Sequence, residues 1–453
     1  MIVKLKKGLD IKLAGTPHPI NAGVVRSENY TVYPSDFVGF AAKPAVREGD
    51  KVVAGSPLLY DKKRPEIKIV SPVSGEVIAV NRGEKRRLTE IVIHSDGKNK
   101  EMIFNTKDAN SPEILKSLLA SAGIFAFIRQ RPYDIIASPT DIPRDIFVTA
   151  FSSAPLAPNT DFIIKGNEDD FQSGLDALAK LTSGKVHLGI RFDSKSNVLQ
   201  DAKNVEVTRF DGPHPSGNVG VQINNVKPVN KGEIVWTTDF QAVIFIGRLL
   251  NRGIVDFSRP VALTGSEIKE DERCYVTALP GVAVSEWLTP RLKSDSAHLR
   301  VISGNVLTGI NAGIYGSLHY FDNQISVIPD GYDKNEFLGW ILPGPDKYSV
   351  AWSFLSRFID IFRRKEYVID ARIKGGKRAM IFSGEWENVL PMDILPEYLI
   401  RAIITFDIEK MENLGVYEIA PEDFALCEFV DTSKMELQKI VREGLDLLYK
   451  EMN

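Results

Sequence analysis

Cysteine is almost missing from this chain. Its 453 residues include only Cys274 and Cys427, far apart and each without a cysteine nearby. That excludes a cysteine-ligated iron–sulfur cluster or an all-cysteine zinc site within the chain. It also leaves no disulfide framework to expect, so two buried free thiols are the expectation. Histidine is sparse too. His18, His94, His187, His214, His298 and His319 form no close H-x-H or H-x-x-x-H pair, so no metal site is expected. Long apolar runs are lacking: the best, Ala242 to Gly247, falls far short of the about 18 residues of a spanning helix. Met1 to Gly8 has no apolar signal-peptide core, which makes the cytoplasm the expected location. Neither sign of charge dominates, with 56 Lys and Arg against 59 Asp and Glu and a net charge of −3. There is therefore no global electrostatic case for nucleic acid. No G-x-G-x-x-G joins a strand to a helix, and no G-x-x-x-x-G-K-[ST] occurs, so a standard dinucleotide or triphosphate site is unsupported.

What is present suffices for roughly three domains. The most distinctive stretch is Phe210-Asp211-Gly212-Pro213-His214-Pro215-Ser216-Gly217-Asn218-Val219-Gly220, placed after a strand-like alternation from Val205 to Phe210. The residues alone allow two outcomes. One is a loop shaped for a ligand at the carboxyl end of an α/β strand, and the other is a rigid surface turn.

Upstream, Val46 to Leu59 and Val70 to Ile78 each give a strand, a Gly-centred turn and another strand. The pair resembles the barrel-sandwich hybrid of biotinyl and lipoyl carrier domains. Such carriers present a modified lysine at the tip between the halves. Here Asp61-Lys62 comes too early and Arg64-Pro65 occupies the tip, so an unmodified structural barrel is expected. The run Asn81 to Arg87 is a basic, solvated turn.

From residue 110 the pattern becomes alternating helix and strand. Ser111-Pro112 starts a helix. Strands are predicted at Asp145 to Phe151, Val186 to Ile190, Val205 to Phe210 and Pro260 to Gly265. Helices are predicted at Phe171 to Leu181 and at Asp239 to Asn251, the latter stopped by Gly253. This alternation predicts a mostly parallel α/β sheet. Residues 266–330 suggest a small β-rich domain with a strand at Leu299 to Gly304. An amphipathic helix is expected between 350 and 362, capped by Arg363-Arg364-Lys365 and suited to packing or to docking on a partner. Another is expected from Glu436 to Glu451.

Lys6-Lys7-Gly8-Leu9-Asp10, Ala14-Gly15-Thr16-Pro17, Ser71-Pro72-Val73-Ser74-Gly75, Phe210 to Pro215, Ile302-Ser303-Gly304, Leu338-Gly339-Trp340, Pro343-Gly344 and Pro391-Met392-Asp393 follow one another in order. On these the chain resembles, nearly end to end, the A-subunit family of the sodium-translocating NADH:quinone reductase. The resemblance implies a peripheral subunit of a six-subunit complex, placed on the cytoplasmic face of the bacterial inner membrane, with membrane and peripheral subunits for partners. The complex oxidises NADH, reduces quinone and exports sodium. FAD, FMN, riboflavin and iron–sulfur centres are implied for other subunits only, with none bound covalently here. The implied fold is α/β multidomain: a barrel-sandwich hybrid over 1–105, a Rossmann-like domain related to the complex I flavoprotein over 106–265, a β-grasp SLBB domain over 266–330, and an α+β or helical domain over 331–453.

The family has been linked to quinone contact, and the matching stretches are Tyr33 to Phe40 and Arg129 to Tyr133. A quinone needs a flat apolar slot and donors to its carbonyl oxygens. Phe37, Phe40 and Tyr133 are candidate walls, and Arg129, Arg131 and Tyr133 are candidate donors. Asp211 and His214 are further quinone candidates on the Gly-rich loop. No catalytic or metal residue is assigned. The alternative is a purely structural docking subunit with no ligand of its own.

Overall fold

The computed structural model describes residues 1–109, 111–293, 298–332, 347–350 and 365–452. The amphipathic helix expected between 350 and 362, Arg363-Arg364, and the motif residues at 338–340 and 343–344 lie outside the described residues.

At the centre is a mixed sheet. Its strands lie in the order Ile2–Lys4, Glu206–Asp211, Val186–Arg191, Ile146–Thr149, Val235–Asp239, Arg129–Arg131 and Ile135–Ile136. The first five run parallel, Arg129–Arg131 runs against them, and Ile135–Ile136 pairs antiparallel with it. Taken in chain order from Ile146, four neighbouring strands stand 3-2-1-4. The chain reverses its direction of travel between Ile146–Thr149 and Val235–Asp239. In open α/β sheets such a switch point opens a crevice at the carboxyl ends of the strands.

The helices obey their local signals. Ser111 accepts from the Ile114 amide to start Pro112–Ser121. Asp239 caps Phe240–Arg252, which ends at Gly253 in the left-handed conformation. Helices Glu168–Ala179 and Phe240–Arg252 pack together through glycine. A Cβ on Gly174 would lie 2.0 Å from the Val243 carbonyl oxygen, and one on Gly247 1.7 Å from that of Asp170.

The strand Arg259–Thr264, expected to close this sheet, belongs to another. It pairs antiparallel with Tyr275–Ala278 and parallel with Gln324–Pro329 in a sheet that also holds Leu299–Ser303, Ile310–Asn311 and Asn21–Val24. The β-rich unit therefore begins near residue 259 rather than 266. The barrel is likewise shorter than 1–105, its two small sheets being built from strands between Asn29 and Ser95. The preceding residues join the other two sheets. The barrel's hairpin tip is fixed in place. Arg64 donates from Nε to Asp61 (2.9 Å) and from Nη1 to the carbonyls of Ile136 and Ala137 (2.9 and 3.1 Å). A swinging carrier lysine needs the opposite arrangement.

Beyond residue 365 the described elements are helical, and no strand occurs there among the described residues. These helices share a core with helix Val219–Val226 on one face of the central sheet. The barrel, the β-rich sheet and the other face form a second core. Both thiols are free and buried, as expected.

Candidate functional site

The Gly-rich loop lies at the carboxyl edge of the central sheet. Strand Glu206–Asp211 ends there, and Gly212 to Asn218 lead into helix Val219–Val226. Thr149, at the end of its own strand, donates to the Gly217 carbonyl (3.0 Å) and accepts from Gln222 (3.0 Å). From above, the N-terminal segment clamps the loop. The Leu9 amide donates to the His214 carbonyl (2.8 Å), and the His214 amide donates to Asp10 Oδ1 (2.9 Å). Gly8 sits at φ +133°, where a Cβ would lie 2.3 Å from that same carbonyl oxygen.

His214 is 4% exposed. Its Nδ1 lies 3.0 Å from Ser153 Oγ, which also accepts from the Gly217 amide at 2.8 Å. The other ring nitrogen, Nε2, faces the protein interior. That atom is buried without a partner among the described residues. Burial with no facing charge pushes His214 down to about 4, so the ring is neutral at neutral pH. Asp211 points the other way in character. It is exposed at the sheet edge, paired through its backbone with Lys4.

Next to the loop, beyond strands Ile146–Thr149 and Val186–Arg191, opens a cleft of about 530 Å³ that includes Ser152, Ser153, Asp161, Arg191 and Lys195. Its floor is held by the β-rich unit. Tyr275 Oη accepts from the Asn159 amide (2.8 Å), and Gln324 donates to the Pro155 carbonyl (3.3 Å). Leu156 adopts φ +59° there, a costly conformation for a bulky residue.

Phe37, Phe40 and Arg129 converge elsewhere, where barrel, central sheet and β-rich unit meet. Phe37 is 3% exposed. Its ring lies 5.9 Å from Phe40, 5.0 Å from Tyr320 and 5.5 Å from Phe321. The Arg129 guanidinium stands 5.5 Å above Phe321 and retains 34% exposure. The turn that carries Phe37 also places Asp36, whose carboxylate bonds His319 Nδ1 at 2.7 Å and accepts from the Tyr320 amide at 3.0 Å. Tyr33 stacks on His319 at 4.6 Å. Burial opposes the imidazolium, but the Asp36 bond and charge, with the charge of Asp322, together outweigh it and hold His319 above the usual histidine value.

Arg131 and Tyr133 face the helical C-terminal unit instead. Arg131 is 1% exposed and bonds Asp134 at 2.6 Å, with Glu422 3.9 Å away. Tyr133 meets Tyr449 edge-on at 5.2 Å, and its carbonyl accepts from Arg442 at 2.7 Å. The seven sequence candidates thus fall into three places. Phe37, Phe40 and Arg129 stand together, Arg131 and Tyr133 join two units, and Asp211 and His214 flank the loop.

Three family models match in succession: "NqrA N-terminal barrel-sandwich hybrid domain" over residues 3–96, "NqrA second alpha/beta domain" over 110–255 and "NQRA C-terminal domain" over 260–313. Full-length relatives agree. The A subunit of the Na(+)-translocating NADH-quinone reductase of Neisseria meningitidis is 37% identical over 99% of this chain and 100% of its own length. Proteins of the same name from Yersinia pseudotuberculosis and Histophilus somni are 35% and 36% identical over the same shares. The chain belongs to the A-subunit family of these reductases. The second family model ends at 255 and the third begins at 260, which fits the strand Arg259–Thr264 standing in the β-rich sheet. No described helix is long and apolar enough to cross a membrane.

Asp36 lies in the stretch Tyr33 to Phe40 but was given no role from the sequence, and neither were His319, Phe321 and Ser153. The run His319-Tyr320-Phe321-Asp322 is visible as an aromatic, ionisable cluster. Its pairing with a turn near residue 36 leaves no trace in one sequence.

Proposed function

We propose that this chain is a peripheral subunit on the cytoplasmic face of the bacterial inner membrane, docked on the membrane subunits of the sodium-translocating NADH:quinone reductase. There it supports quinone reduction by contacting the quinone headgroup, while FAD, FMN, riboflavin and iron–sulfur centres stay in other subunits. The observation that carries quinone contact is the convergence of Phe37, Phe40 and the half-exposed Arg129 guanidinium around Phe321. The partly buried Phe40 and Phe321, with one cationic donor, suit a flat ring with carbonyl acceptors. The 3-2-1-4 strand order supports kinship of the central domain with the Rossmann-like domain of the complex I flavoprotein.

In the assembled complex, Arg129→Met is expected to raise the quinone KM about tenfold, the worth of one charged hydrogen bond. NADH oxidation by an artificial acceptor stays unchanged. An unaltered quinone KM overturns the contact. A second reading, a docking scaffold without ligand, is favoured by the edge contacts that already occupy Phe37. Quinone titration of the isolated chain separates the two. No saturable binding, with incorporation into the complex retained, leaves the scaffold.

A further inference from the structure

The turn Pro34–Asp36 and the segment 319–321 lie against each other along their whole length. Asp36 holds both His319 Nδ1 and the Tyr320 amide. Tyr33 covers the face of His319, and Phe37 covers Tyr320 and Phe321. The result is one continuous ridge, with His319 and Tyr33 at one end and Phe40, Phe321 and Arg129 at the other. Tyr33, Phe40, Arg129, His319 and Phe321 are each only partly buried. The underside of the ridge is fixed by further polar contacts. Ser303 Oγ donates to Asp322 Oδ2 (2.6 Å) and accepts from the His319 amide (2.9 Å). Arg259, 2% exposed, donates to the Asp322 and Tyr320 carbonyls at 2.9 and 2.8 Å.

An imidazole whose Nδ1–H is held by a carboxylate has a fixed ring plane and a fixed tautomer. The carboxylate stabilises the imidazolium that forms when Nε2 takes a proton. Among the described residues Nε2 of His319 has no hydrogen-bond partner. Compare the requirement of quinone reduction. The ring takes two electrons and two protons, and negative charge develops on its carbonyl oxygens before the protons arrive.

We propose that His319, oriented by Asp36, donates a proton from Nε2 to one carbonyl oxygen of a quinone headgroup that lies along the ridge, between His319 at one end and Arg129 at the other. The electrons come from NADH through the other subunits. One proton leaves His319 and the second comes from water. The Nε2–H bond breaks as the quinol O–H bond forms, and the neutral imidazole is recharged from solvent. Arg129 binds the opposite end of the ring and transfers nothing. This role rests on the quinone reading above.

The test uses the assembled, purified complex. His319→Gln is expected to lower the quinone reductase kcat at least about a hundredfold, the lower bound for loss of a general acid. The quinone KM and the NADH rate with an artificial acceptor stay as in the parent. Activity in the parent falls as pH rises and His319 loses its proton. The charged and titratable groups facing His319 are Asp36 and Tyr33 on the turn and Asp322 beside it, with Arg259 behind Asp322. Asp36→Asn removes the charge that favours the imidazolium and keeps the shape, so the fall moves to lower pH. If His319→Gln blocks assembly, Asp36→Asn alone decides, through its pH profile. An unchanged kcat in His319→Gln, or an unmoved profile in Asp36→Asn, overturns the proton role. The outcome for the reading beneath it is separate. If Arg129→Met also leaves the quinone KM untouched, the quinone site itself falls. If Arg129→Met raises it while His319→Gln is silent, only the proton donor falls.

Discussion

His214 and His319 are both largely withdrawn from water, yet their surroundings make them opposite kinds of group. His214 lies under a clamped loop, with a serine hydroxyl as the side-chain partner of its ring and no charge that shifts the ring. Burial therefore wins, and the ring stays neutral. His319 is less deeply buried and touches a carboxylate, and there the ion pair wins. Burial sets a cost for the charged form in both places, and the partner decides whether the cost is met. A loop built from glycine, proline and a histidine looks like a ligand cradle in sequence. Its histidine is buried against a serine hydroxyl, while the histidine that we propose as a proton donor lies in a stretch with no glycine signature.

The largest expected consequence falls on His214. Its value drops from 6.5 to about 4 on folding. Between those values the unfolded chain binds a proton that the folded chain does not, so stability falls as pH falls. The loss across the window is roughly 3 kcal/mol. Denaturation midpoints at pH 7 and near pH 4.5 check this, and His214→Gln should flatten the difference. Ser153→Ala comes next. It strands the His214 Nδ1 and the Gly217 amide, and should cost about 2 kcal/mol at neutral pH, read in the same denaturation experiment. The smallest effect belongs to the other histidine and has the reverse sign. The folded value of His319 is raised, so its contribution is complete below the unfolded value and is lost as pH rises through the folded one. Asp36→Asn should remove about 1 kcal/mol more at mildly acidic pH than at alkaline pH. Histidine titration by NMR shows whether the raised value goes with it. A His319 that titrates normally in the parent protein would dissolve the comparison.

Much of the scaffold was legible because its signals are local. Ser111-Pro112, Asp239 and Gly253 mark helix ends through one or two hydrogen bonds each. Strands such as Ile146–Thr149 announce themselves by an unbroken apolar run. Helix Val219–Val226 was not anticipated. Its Val, Asn and Gly residues are poor helix formers, and packing against Phe147 and the C-terminal helices sustains it. Val235–Asp239 was overlooked although Val-Trp-Thr-Thr carries a strand composition. The strand Arg259–Thr264 was found but assigned to the wrong sheet, because sheet membership depends on pairing with residues 275–278 and 324–326. The candidate site divides in the same way. Phe37, Phe40 and Arg129 were visible as residue types, whereas Asp36 with His319 is a contact across 283 positions.

The first two dozen residues are stitched into three distant places. Ile2–Lys4 lies beside Glu206–Asp211 in the central sheet, Leu13 pairs with Tyr367, and Asn21–Val24 lies beside Tyr275–Ala278. Each partner is made long after this segment has left the ribosome. At about 5–20 residues per second it waits on the order of tens of seconds before Tyr367 emerges. The barrel has its own strands and can close early. The body cannot be sealed until translation is nearly finished, so truncation before Tyr367 leaves the N-terminal thread without that anchor.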